Sequence, residues 1–205
     1  MKRTILFALL LIVAITLTAL SWHYFGSDEA GILARKPQAV KSWLPTFLRI
    51  HIGGGMIAML CGAGLVFTSR GAKLSVHRYL GRIYASAVLV SGMAGLIVAP
   101  HAIGGAVSGF GLGSLALAWM YFTVRTIQHA LNKEWVAHQR AAAYSLALTF
   151  SSLTFRLFLL FAFLGYPFTT VYRTSCWVSW LLHLGIVAVW FSYRGQTTNQ
   201  LSKTF

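Results

Sequence analysis

The sequence predicts an all-α integral membrane bundle of six transmembrane helices, on three observations. Of its 205 residues, 57% are hydrophobic and only 10% charged, whereas a water-soluble domain carries about a quarter charged. The apolar residues fall in charge-free runs of about 20, the length a helix needs to cross ~30 Å of hydrocarbon. The basic residues sit in small groups at the ends of those runs, as membrane topology requires. Six runs use about 120 positions, which leaves short connections and makes 1–205 a single transmembrane domain.

The first three spans are read at 4–22, 50–69 and 83–100. The uncharged stretch that opens at Ile83 continues to Val124, too long for one crossing, and Pro100 with the Gly-rich segment 101–113 breaks it into a hairpin. Its second arm is the fourth span, 107–124. The fifth, 141–164, encloses one charge, Arg156, and the sixth covers 176–193. Met1-Lys2-Arg3 before the first run, with Ala19-Leu20-Ser21 at its end, also has the form of a cleavable signal. The long apolar run and the bulky Trp22 favour an uncleaved helix.

Orientation follows from counting Lys and Arg at the span ends. Eleven lie on one side (Lys2, Arg3, Arg70, Lys73, Arg78, Arg82, Arg125, Lys133, Arg140, Arg194, Lys203) and five on the other (Arg35, Lys36, Lys41, Arg49, Arg173). Both termini are therefore expected in the cytoplasm. Trp22, Trp43, Trp135, Trp177 and Trp180 are placed near the interfaces, where amphipathic rings prefer to sit. Cys61 and Cys176 fall at different depths, so no disulfide is expected.

Seventeen Lys and Arg against three acids, Asp28, Glu29 and Glu134, give a net charge of +14. The basic residues are dispersed among span ends instead of gathered on one face, which argues against nucleic acid. No phosphate-cradling Gly loop, His-Glu-x-x-His or Cys-x-x-Cys occurs. No carboxylate lies within a span, which weighs against a proton-coupled transporter. Gly53, Gly54, Gly55, Gly62, Gly64, Gly92, Gly95 and the Ser91/Gly95 pair allow close helix packing, or a flat cofactor against the backbone.

Seven histidines sort into two layers. His77, His129 and His138 lie at cytoplasmic span ends, and His23, His51, His101 and His183 toward the exterior. Imidazoles from different helices can hold haem b from opposite sides of its ring. Arg156 has no carboxylate partner within its span, so it needs backbone carbonyls, lipid phosphate or an anionic ligand such as a haem propionate. Topology and lipid headgroups alone account for many of the remaining Arg and His.

The stretch 49–156 resembles the bacterial membrane family called domain of unknown function 2306. The resemblance rests on Arg49-x-His51 opening a Gly-rich span, Val76-His77-Arg78-Tyr79-Leu80-Gly81-Arg82-Ile83-Tyr84, the Gly-Phe-Gly at 109–111, and His138-x-Arg140 leading to an Ala-Leu-Thr-Phe run that ends at Arg156. It implies a bundle of six or more helices, His51, His77 and His138 as recurring histidines, and the bacterial cytoplasmic membrane as location. Ala141, Ala142 and Tyr144 depart from the pattern, which has Trp-Met and then Arg there. His183 stands where Asn is usual. By architecture the family is similar to the cytochrome b-561 and ferric reductase group.

The expectation is one or two haem b groups serving membrane electron transfer. His77 and His138 would ligate the cytoplasmic-side haem, with Gly81 admitting the ring and Arg82 and Arg140 holding propionates. His51 with His183 or His101 would ligate an exterior one, with Arg156 on its propionates. A quinone or a redox protein is the expected partner, alongside membrane lipids. The alternatives are a cofactor-free accessory subunit and a transporter with an Arg156-centred cavity.

Overall fold

The computed structural model describes residues 2–26, 42–68 and 74–201. Asp28, Glu29, Arg35, Lys36, Lys41, Arg70, Lys73 and Lys203 lie outside the described residues, as do the side chains of Lys2, Arg3, His23 and Arg194. Six α-helices follow one another: α1 Lys2–Ser21, α2 Leu44–Thr68, α3 Leu74–Val98, α4 Ala106–Leu131, α5 Trp135–Leu159 and α6 Phe168–Leu201. Short 3-10 turns extend α1, α3 and α5 to Phe25, His101 and Leu164. Five helices are long and apolar enough to cross a membrane, and α1 adds a shorter described apolar stretch, Phe7–Ser21.

Helices α2, α3, α4 and α5 close into an antiparallel ring in which each touches the next and α5 returns to α2. Helix α1 lies against α2, and α6 against α5 and α4. The starts of α1, α3 and α5 thus share one end with the close of α2, α4 and α6, called here the terminal end. The opposite end is the far end.

The helices run past the expected spans on their charged sides. Helix α3 starts nine residues before 83, α5 six before 141, and α4 continues seven beyond 124. A long basic side chain can leave the hydrocarbon while its backbone stays helical, so Arg78, Arg82, Arg125 and Arg140 do not end the helices that carry them. Helix α6 starts eight residues before 176, so Cys176 is buried well inside the bundle. Trp180, expected at the interface, is instead a core residue, 7% exposed, packed with Ala58, Tyr84, Val88, Trp119 and Leu148. Its indole N–H donates to the Cys176 carbonyl at 2.9 Å. Both cysteines are free thiols.

Small residues set the helix spacing. A Cβ added at Gly54 of α2 would lie 2.7 Å from Ser91 Cβ and 3.0 Å from the Ala87 carbonyl oxygen of α3. One added at Gly111 of α4 would lie 2.8 Å from the Cys176 carbonyl oxygen of α6. Helices in lipid associate through such close approach, because the surrounding tails are as apolar as the side chains they replace. The hairpin foreseen at Pro100 closes through Gly104 and Gly105, at φ +90° and +72°. The Arg173 Nε–H donates to the Gly104 carbonyl at 2.8 Å, tying this turn to the start of α6.

Gly54→Leu is expected to force α2 from α3 and lower the apparent melting temperature in detergent. Gly185→Ala, which meets nothing within 4 Å, is expected to leave it unchanged. Thermal unfolding followed by circular dichroism compares the two, and equal stability would refute the close-approach account.

Candidate functional site: a far-end cavity and four pinned histidines

Ring closure leaves a cavity of about 790 Å³ in the far-end half of the bundle, within the range of ordinary ligand pockets. Leu44, Leu48, Ile52, Met56, Leu112, Leu115 and Phe155 supply apolar walls, and Met59, Trp119, Leu148 and Thr149 are among its deeper residues. Among its polar groups are Ser21 at the end of α1 and Tyr24 just after it, His51 of α2, Ser152 and Arg156 of α5, and Tyr172 and Ser179 of α6. His101 also lines it, with its ring 5.1 Å from that of Trp43 in an edge arrangement.

Arg156 occupies the last turn of α5, where the carbonyl end of the helix favours a cation. Its guanidinium donates to the Ser152 carbonyl at 3.2 Å and to Ser21 Oγ at 2.9 Å. Among the described residues no carboxylate reaches it. His51 lies within electrostatic reach of the same guanidinium. At the rim the Arg49 Nε–H donates to the Tyr24 carbonyl at 2.9 Å.

The seat of His51 explains the Ser91/Gly95 pair. The Ser91 carbonyl accepts from His51 Nδ1 at 2.9 Å, and the Ser91 hydroxyl donates to the His51 carbonyl at 2.7 Å. A Cβ at Gly95 would come within 2.8 Å of Nδ1, so the imidazole lies directly on the α3 backbone. Because a carbonyl only accepts, Nδ1 carries the hydrogen and Nε2 keeps its lone pair.

The same chemistry recurs three times. His138 Nδ1 bonds the Thr126 carbonyl at 2.9 Å, and His183 Nδ1 bonds the Ser179 carbonyl at 2.7 Å. Thr68 donates its own hydroxyl hydrogen to the Gly64 carbonyl, so its oxygen accepts from His77 Nδ1 at 3.1 Å. Four imidazoles are thereby held as Nδ1–H tautomers with Nε2 unused by the described protein. Metal-ligating histidines are oriented in this way.

The structure brings His51, His101 and Arg156 to one cavity, and His77 and His138 within electrostatic reach of each other at the terminal end. It does not bring His183 to the cavity: that residue lies roughly 22 Å along α6, much deeper than His51 on α2. Gly81 faces Leu65 of α2, where a Cβ would make an ordinary 3.9 Å contact. Arg82 and Arg140 are exposed, and Arg140 stacks over the Phe191 ring at 5.6 Å. Among the described residues no group of three or more His, Cys, Asp or Glu is arranged to hold a metal ion, a count that two axial imidazoles do not reach. His129, at the end of α4, pairs with Glu134 across the turn.

Sequence reading missed the hydroxyl knot beside the inner part of the cavity. Tyr84 Oη lies 2.7 Å from both Ser145 Oγ and Thr149 Oγ1, and the Trp119 indole donates to Thr149 Oγ1 at 2.9 Å. Thr123 joins through Ser145 Oγ at 2.7 Å. The knot links α3, α4 and α5 at mid-depth. Its one signal in the sequence is the run of hydroxyls inside otherwise apolar spans.

An all-α bundle of this length and apolarity, with its charges at the helix ends, is a polytopic membrane protein. The chain belongs to the family described as predicted membrane protein (DUF2306), whose family model matches residues 48–191 and thus also takes in most of α6. No curated protein and no solved structure matches the chain.

Tyr84→Phe and Ser145→Ala are each expected to cost about 1 kcal/mol. The double variant should lose less than the sum, because both act on one knot; strict additivity in detergent unfolding would contradict the shared network. At the α4–α5 turn, the hydrogen bond from His129 holds the Glu134 carboxyl below the usual carboxylate range. Its contribution is therefore present above that range and lost as pH falls through the lowered value. Acidification below about pH 5 should destabilise the wild type more than Glu134→Gln, with only three carboxylate side chains in the sequence. Parallel acid melting curves for the two proteins would negate this.

Proposed function

We propose that the chain is a b-type haem protein serving electron transfer in the bacterial cytoplasmic membrane, with both termini on the cytoplasmic side. The observation that carries this reading is the shared tautomer: His77 and His138 each donate Nδ1–H to protein oxygen and keep the Nε2 lone pair that iron requires. They stand in the first turns of α3 and α5, non-adjacent helices of the ring, so the pair can approach one group from two sides. This donor set fits haem b by its chemistry.

When bound, haem supplies a one-electron ferric and ferrous couple. The residues of the chain do the rest. Thr68 and the Thr126 carbonyl orient the two imidazoles and raise their basicity. Arg82 and Arg140, at the same end, offer cations to carboxylates. The apolar ring of helices keeps water from the interior, and a quinone or redox protein is the partner class that such a couple serves.

Purified full-length protein is expected to show a Soret band that shifts on dithionite reduction and disappears in the His77→Ala/His138→Ala double variant. Thr68→Val is expected to keep the band and raise the midpoint potential, because an imidazole without its Nδ1–H bond donates less to iron. A protein without a Soret band, or a band untouched by the double variant, would end this reading.

A further inference from the structure

The far-end cavity holds a charge and a hydroxyl that the described protein leaves incompletely used. Among the described residues, Arg156 presents a guanidinium with two protein hydrogen bonds and no carboxylate beside it. A cation so placed in a low-dielectric setting calls for an anion. Ser179 lines the same cavity, is 1% exposed, and its Oγ makes no hydrogen bond to the described protein. Serines in helices ordinarily satisfy the hydroxyl on the carbonyl four residues back, as Ser175 does on Val171 at 2.7 Å. A buried hydroxyl left unpaired is costly.

The two groups lie at different depths. Phe155, beside Arg156, packs edge-on against Tyr172 at 5.6 Å, which makes α5 and α6 level there. Ser179 is seven residues farther along α6, ~10 Å deeper. The apolar walls of the same cavity include Leu48, Ile52, Met56, Leu115 and Leu148. A cation near the mouth, apolar walls and a hydroxyl in the depth complement a molecule with an anionic head and an apolar body that ends in oxygen.

The geometry points to the far-end cavity as a binding site for an apolar molecule with a monoanionic head group, the head held by Arg156 and an oxygen on its body received by Ser179. Arg156 brings one positive charge, matched by one carboxylate or one lipid phosphodiester. Ser21 holds the guanidinium in place from α1. This site is separate from the His77 and His138 pair and does not rest on the haem reading.

The test uses the full chain in non-ionic detergent with radiolabelled dodecanoate as probe. Dodecanol, ω-hydroxydodecanoate and phosphatidylglycerol serve as competitors. Dodecanoate is expected to bind, dodecanol to compete poorly, and ω-hydroxydodecanoate to compete better than unlabelled dodecanoate. Arg156→Gln should weaken binding roughly tenfold or more, the loss of a charge-assisted contact, while Arg156→Lys retains most of it. Ser179→Ala should abolish the ω-hydroxy advantage and leave dodecanoate itself unchanged. Competition by phosphatidylglycerol stronger than by dodecanoate supports the site and assigns its source to membrane lipid. Equal competition by dodecanol, or equal weakening by Arg156→Gln and by Arg173→Gln on the exposed rim, overturns the proposal. So does a haem whose Soret band is lost in His51→Ala, which would make the cavity a haem site. Should Arg156→Gln fail to fold, the dodecanoate and dodecanol comparison on wild type still decides.

Discussion

Hydrocarbon offers no water to a polar group, and nearly every feature of this protein follows from that constraint. The backbone is satisfied by helices and the 3-10 turns that prolong them. Side-chain hydroxyls return to their own helices, as in Thr68 to Gly64, Thr123 to Trp119 and Thr126 to Phe122. Where a hydroxyl oxygen also meets a neighbouring helix, it binds helices together. Tyr84, Ser145, Thr149 and Thr123 form such a cross-link, and the Trp119 indole completes it.

The same constraint gives the histidines their chemistry. An imidazole in lipid must hand its N–H to some oxygen, and carbonyls or a committed threonine are what the helices supply. Each of the four donates from Nδ1, so each Nε2 retains its lone pair. For His51 this depends on Gly95 and Ser91, since any larger residue at 95 would occupy the place of the ring. Close packing and the orientation of the imidazole are one feature here, because the small-residue stripe of α3 that admits α2 is also the surface on which His51 lies.

The knot divides the interior into two unlike halves. Toward the far end the ring of helices encloses a cavity with Arg156 and His51. Toward the terminal end His77 and His138 stand near the first turns, flanked by exposed arginines. A polar ligand at either end meets cations, because the chain has seventeen of them and three acids. The charge excess is therefore a property of both ends, and the unequal distribution of basic residues concerns orientation alone.

Much of this was legible in the linear sequence. The all-α membrane class, the succession of apolar runs, the hairpin at Pro100 and the solitary charge of Arg156 all follow from composition and from the ~20-residue length that lipid demands. The helices extend past the expected spans because basic residues reach the interface without leaving the helix, so charge marks the membrane surface and not the helix boundary. Trp180 was misplaced because interfacial and core indoles occur in equally apolar runs. Only the tertiary structure decided that His51 and Arg156 share a cavity while His183 does not, that Gly81 faces Leu65, and that Ser179 is left unpaired. Those facts depend on rotation about each helix axis and on which helices become neighbours, and span length and charge specify neither.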